Sequence, residues 1–220
     1  MTNKLFVPLT VLAAAMFAYA PIMILNAPYE ATMGLVQKIF YFHAACGMAM
    51  FLSAFVSGIG SALFLFTRKP AADRWAVAGA EVTVIVGLIV MVTGPLWARK
   101  AWGTFWIWDA RTTSSLVSWM IACAYLILRR YGGPGSEKLA AALALFGMAN
   151  VPFIYISVNY WRTIHPATSV VPKLPFTMGF PLWFCVITFA LVFIVLLKLR
   201  VRVEEQQARV DGLYLSLDER

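Results

Sequence analysis

The chain has 220 residues, of which 61% are hydrophobic and 13% charged, with a formal net charge of +8. Charge is about half as frequent as the roughly 25% of globular domains, which excludes an ordinary water-soluble fold. Three cysteines without secretory spacing exclude a disulfide scaffold, the lack of long Ser, Gly or Pro tracts excludes a disordered chain, and basic residues scattered between apolar runs argue against nucleic-acid binding.

What remains is an integral membrane protein. A bilayer core of about 30 Å needs about 20 helical residues. The apolar runs are continuous and do not alternate as barrel strands do, so they predict an all-α bundle of six transmembrane helices. The first covers residues 5–25. Lys4 and Ala18-Tyr19-Ala20 give it a signal-peptide look, but Pro21 and the apolar run on to Leu25 predict retention as a membrane helix. The second, 39–66, carries His43 near its start and is long enough to require tilt or a protruding end. The third, 75–92, contains Glu81, the one acidic residue inside a predicted span. It is read as a candidate subunit contact, with snorkelling as the alternative. The fourth (112–128), fifth (139–157) and sixth (176–199) follow. Beyond residue 199, Arg202, Glu204, Glu205 and Arg209 predict a short solvated helical extension followed by disorder. The chain thus divides into a six-span membrane domain, 1–200, with a tryptophan-rich loop at about 97–111, and a cytoplasmic tail, 201–220.

Lys and Arg set the orientation. Lys4, Arg68, Lys69, Arg74, Arg129, Arg130, Lys138, Lys198, Arg200, Arg202, Arg209 and Arg220 fall on one side, twelve in all, against six on the other: Lys38, Arg99, Lys100, Arg111, Arg162 and Lys173. Both termini are therefore expected in the cytoplasm. Three segments, about 26–38, 93–111 and 158–175, are expected outside.

The two histidines of the chain, His43 and His165, both fall on that outer side. Two neutral imidazoles approaching from different segments are what six-coordinate haem iron accepts. Zinc would want three or four ligands. Cys123 and Cys185 lie inside spans and Cys46 shares a helix with His43, positions where cysteine serves as apolar filler. No Cys-x-x-Cys-His occurs, so haem would be held without covalent attachment. The middle outer segment, Trp97 to Arg111, holds four of the eight tryptophans together with Gly103 and Asp109-Ala110-Arg111. An interfacial belt explains one or two tryptophans per helix end, not this density. Aromatic faces suit a flat macrocycle, and Arg or Lys suits its propionates. Arg111 is the first candidate for a propionate contact and Arg99, Lys100 and Arg162 are weaker ones; each has water or lipid phosphate as its alternative partner. Asp109 is expected to cap the fourth helix. Asn159 is a candidate to order the loop before His165, with a plain surface amide as the equal alternative.

The stretch Trp102-Gly103-Thr104-Phe105-Trp106-Ile107-Trp108-Asp109-Ala110-Arg111 resembles the WWD signature of the haem-handling proteins of cytochrome c maturation. With six spans and Asn159-Tyr160-Trp161-Arg162-Thr163-Ile164-His165, the chain resembles the haem exporter protein C (CcmC) family up to about residue 200. Phe105 stands where that family leads one to expect Trp, which keeps an aromatic face and loses an indole N–H. The resemblance implies a haem chaperone of the bacterial inner membrane, not itself an enzyme, with its site toward the periplasm. His43 and His165 would be the axial ligands of non-covalent haem b. Trp97, Trp102, Phe105, Trp106, Trp108, Asp109, Arg111, Trp161 and Arg162 would be the surrounding haem-binding residues. It also implies partners: a periplasmic haem chaperone E (CcmE-type) that takes the haem at a vinyl group, subunits A and B of an ATP-binding-cassette transporter, a small single-span protein of the CcmD type, and membrane lipid. Two other classes compete. A b-type electron-transfer subunit would usually need a cofactor at a second depth, and no histidine lies on the inner side. A small-solute permease would be expected to show paired inverted repeats.

Overall fold

The computed structural model describes residues 4–31 and 33–218. Among them are six helices long and apolar enough to cross a membrane. These are α1 (Phe6–Asn26), α2 (Gln37–Thr67), α3 (Pro70–Trp102), α4 (Ala110–Tyr131), α5 (Ser136–Tyr160) and α6 (Phe176–Asp218), with a 3-10 turn at Val171–Lys173 before α6. All six expected spans are present. Each of α2 to α5 outlasts its apolar run, because a helix continues past the hydrocarbon for as long as its backbone is satisfied. For α3 the difference matters most: its 33 residues span about 50 Å. Pro70 fits the first turn, where its missing N–H costs nothing. At the far end Gly103 stops the helix at φ 79°, a left-handed conformation that its missing Cβ permits, and donates its N–H to Arg99 O. Trp97 and Trp102 therefore sit on a helix and not in a loop. The expected short extension of α6 is likewise corrected, since the helix runs unbroken through residue 200 to Asp218.

α2 and α3 form the central pair. α4 and α5 pack on one flank and α6 on the other, with α1 outermost against α6. Small residues let the central pair approach closely. A Cβ at Gly79 would lie 2.6 Å from Ser57 N, and one at Gly60 would lie 2.8 Å from Ala76 N. Nearby, the Thr83 hydroxyl reaches Ser53 Oγ at 2.9 Å. Cys46 and Cys185 are fully buried as apolar filler.

The two ends of the bundle differ. At one end the guanidinium of Arg200 pairs with Glu81 and Glu204, Arg129 pairs with Asp73, and Arg74 lies 3.9 Å from Glu205. Glu81, expected to be a candidate subunit contact, is thus paired within its own chain, because α6 packs against α3 and sets Arg200 beside it. Arg202 stacks on Phe6 at 4.1 Å, so the start of α1 and the distal part of α6 meet at this end. The opposite end carries both histidines. There the Lys38 ammonium donates to the carbonyls of Leu25 and Ala27 at the C-terminus of α1, where a positive charge is favoured.

Gly79→Ala forces a methyl group into the Ser57 backbone and is expected to destabilise the protein by about 1–3 kcal/mol, read as a lower unfolding temperature in detergent. Gly212→Ala, which meets open space, should leave that temperature unchanged or slightly raised.

Candidate functional site

At the histidine end a cavity of about 300 Å³ opens between α2, α3, α4, α5 and the two long connections. Its walls are mostly apolar. His43, two turns into α2, lines it together with His165 from the α5–α6 connection, although 121 residues separate them in sequence. Among the described residues no three His, Cys, Asp or Glu gather to hold a metal ion, and the two imidazoles are the side chains of those four types in the cavity lining.

His43 is held from α3. Its Nδ1 lies 2.9 Å from Thr93 Oγ1, and its ring stacks with that of Trp97 at 6.5 Å and 29°. Gly94 leaves space for it: a Cβ there would stand 3.2 Å from His43 Cε1. His165 is held locally, with Nδ1 3.1 Å from Pro166 O and its backbone N–H donating to Thr163 Oγ1 at 3.0 Å. A carbonyl only accepts, so the ring hydrogen sits on Nδ1 and Nε2 keeps its lone pair. Burial and then the Arg111 charge push this imidazole from 6.5 down to about 4, against the opposing pull of Pro166 O and Asp109. The ring is therefore neutral at neutral pH.

Asp109 is the fastening between the segments. As expected it caps α4, its Oδ1 accepting from Thr112 N–H at 2.8 Å. Its Oδ2 also accepts from the Thr163 hydroxyl, which ties the His165 loop to the start of α4. Burial opposes ionisation of Asp109, but hydrogen bonds from Thr112, Thr163 and Ile164 outweigh it and hold the carboxyl below its usual range. Asn159, at the exposed margin, closes the same loop across His165 through Thr168, 3.0 Å from its Nδ2.

Of the expected haem-contacting residues, Trp97, Trp102, Phe105, Trp106 and Arg111 line the cavity. Trp97 is 3% exposed and meets Trp102 edge-on at 4.8 Å. Arg111 donates to Ile154 O at 2.7 Å and lies over the Phe51 ring. Trp108, Trp161, Asp109 and Arg162 are not part of the lining. Trp108 is 75% exposed and touches Trp106 by its edge, while Trp161 packs on Phe153. Arg162 and Lys100 face outward, and Arg99 turns back to cap α3 at Gly103 O. The lining also includes residues that the sequence did not single out, among them Gly94, Met91, Tyr155 and Val171, and Trp183, which reads as an interfacial anchor. Most sit in apolar runs, where no local signal separates a cavity wall from a lipid-facing surface.

Residues 1–214 match the family described as Heme exporter protein C, CcmC. The chain belongs to the Heme exporter protein C family. It is similar to Heme exporter protein C of Bradyrhizobium diazoefficiens, 34% identical over 198 residues, covering 86% of this chain and 74% of that protein. It is similar also to Heme exporter protein C of Escherichia coli K12, 30% identical over 205 residues, covering 86% of this chain and 81% of that one. A ccmC-like mitochondrial protein of cytochrome c biosynthesis from Marchantia polymorpha is 33% identical over 156 residues, 71% of this chain. The match spans 66% of the Marchantia protein, just under two thirds of its length. In this member of the CcmC family the WWD segment is therefore half helix and half loop, with Asp109 as the knot between it and the histidine loop.

Asp109→Ala removes both of its links. It is expected to lower stability by about 1 kcal/mol through the lost cap, and to raise hydrogen exchange across residues 161–168. Thr163→Val should raise that exchange while leaving the cap and most of the stability intact.

Proposed function

We propose that this protein binds haem through His43 and His165 as the two axial ligands and passes it to a periplasmic haem chaperone of the E type. The observation that carries this reading is the meeting of two sequence-distant imidazoles on one aromatic-walled cavity. The residues fit the cargo: neutral nitrogens for the iron, indole and phenyl faces for the ring, and one cavity-lining guanidinium, Arg111, for a propionate. Trp97, Trp102, Phe105 and Trp106 support the ring from the wall, while Asp109 holds the loop that carries His165. Trp108, Trp161 and Arg162 stand outside the lining, where an acceptor protein or the membrane interface would meet them. The cavity is at the small end for ligand sites and opens outward, as suits a cargo that must leave again.

The excess of Lys and Arg at the opposite end supports, by the positive-inside rule, a cytoplasmic location for that end, both termini and the 201–220 extension. Residues 1–200 are then the haem-handling domain in the bacterial inner membrane, its site toward the periplasm. Family membership supports work beside transporter subunits A and B and the small CcmD-type protein in cytochrome c maturation. The protein acts in transfer. Attachment of haem b at its vinyl group takes place on the acceptor.

Optical spectra of the purified protein loaded with haem test the ligand pair. The wild type should show a six-coordinate low-spin spectrum, and His43→Ala and His165→Ala should each lose it. Mutants that both retain the wild-type spectrum would overturn the assignment.

A further inference from the structure

Thr93 stands on α3 with its side chain toward His43, and its hydroxyl makes two close approaches. One is 2.7 Å to Ile89 O, four residues back on its own helix, and the other is 2.9 Å to His43 Nδ1. A hydroxyl owns one hydrogen. A carbonyl oxygen has none to offer, so at 2.7 Å the Thr93 hydrogen belongs to the bond with Ile89, the familiar back-bond of a helical threonine. What is left to Thr93 Oγ1 is acceptor capacity, and the 2.9 Å approach must be made by the hydrogen of the imidazole. The neutral ring carries only one, on Nδ1, and Nε2 is left as the lone-pair nitrogen.

The seat around the ring allows little freedom. Gly94 leaves room for Cε1 and little more, and Trp97 stacks on the ring one turn further along α3. His165 differs, because its Nδ1 is satisfied by the carbonyl of the next residue and needs no other element of the fold. For His43 the hydrogen-bond partner comes from a different helix.

We infer that Thr93 is a positioning residue for haem binding: its hydroxyl fixes His43 in the Nδ1–H tautomer and so presents Nε2 to the iron. This rests on the proposed ligation by His43. A metal-bound imidazole generally donates its other N–H to a fixed acceptor, and loss of that acceptor typically costs about 10- to 100-fold in affinity. The acceptor here is a neutral hydroxyl whose own hydrogen is engaged elsewhere. It gives less push than a carboxylate would, and this keeps His43 an ordinary imidazole donor suited to cargo that is handed on.

The test titrates the purified full-length protein in detergent with ferric haem b, comparing wild type, Thr93→Val, Thr93→Ser and His43→Ala. Thr93→Val keeps the shape and removes the acceptor. It is expected to bind haem about 10- to 100-fold more weakly, with a smaller low-spin fraction and a more positive reduction potential of the bound haem, at an unchanged unfolding temperature without haem. Thr93→Ser should return affinity, spectrum and potential to near wild type. If Thr93→Val matches wild type in all three while His43→Ala loses the low-spin spectrum, the positioning role is overturned and the ligand assignment stands. If Thr93→Ser is as impaired as Thr93→Val, a hydroxyl at this position does not restore binding, the losses follow from disturbed packing and not from the acceptor, and the role is likewise overturned. If His43→Ala keeps the low-spin spectrum, the ligation reading itself fails and the role of Thr93 falls with it.

Discussion

Two histidines far apart in the chain can serve one ligand only if the segment carrying the second is fixed against the element facing the first. In this structure that fixing is done by Asp109. Its two carboxylate oxygens divide the work, one accepting from the Thr112 N–H at the start of α4 and the other taking the hydroxyl of Thr163, two residues before His165. Both duties call for an ionised carboxylate, and the surrounding donors keep it ionised although it is nearly buried. Asp109 is thus not a wall of the cavity. It is the reason that a connection with little regular structure can present a half-buried imidazole at a defined place.

Much of this was legible in the sequence, for reasons that also mark where legibility stopped. Hydrocarbon demands apolar runs, so the existence and number of spans could be read directly. Helix ends could not, because Asp73, Arg74, Arg99 and Lys100 break the apolar pattern without breaking the helix, and only Pro70 and Gly103 mark the true limits of α3. His43, His165 and the tryptophan cluster were conspicuous because histidine is scarce here and tryptophan is unevenly spread. Thr93 and Gly94 were not, since a threonine or a glycine in a membrane helix is ordinary until the opposite helix is seen. Glu81 was conspicuous for the right physical reason, a carboxylate at membrane depth. Its partner, Arg200, lies 119 residues away and is brought to it by the packing of α6 against α3.

Glycine on α3 shows how one device serves both stability and the site. At Gly79 the missing side chain admits the backbone of α2, at Gly87 the indole of Trp119, and at Gly94 the imidazole of His43. The first contact sets the distance between the central helices. The last uses the same absence of a Cβ for a functional ring, so the orientation of His43 is inherited from the packing of the α2–α3 pair and not from a loop.

The two imidazoles consequently differ in what it would take to move them. Displacing His43 means breaking its bond to Thr93 and disturbing Trp97, which stacks on it and in turn packs on Phe40, with the tightly apposed α2–α3 interface behind them. Displacing His165 means releasing Thr163 from Asp109 and Thr168 from Asn159, side-chain bonds at the margin of the bundle, while the apolar core stays packed. Polar bonds at a wet margin exchange readily with water and carry a small net free energy, whereas loosening the packed interior loses dispersion contacts that water cannot replace. The low-energy way to open the cavity is therefore through the 161–175 connection.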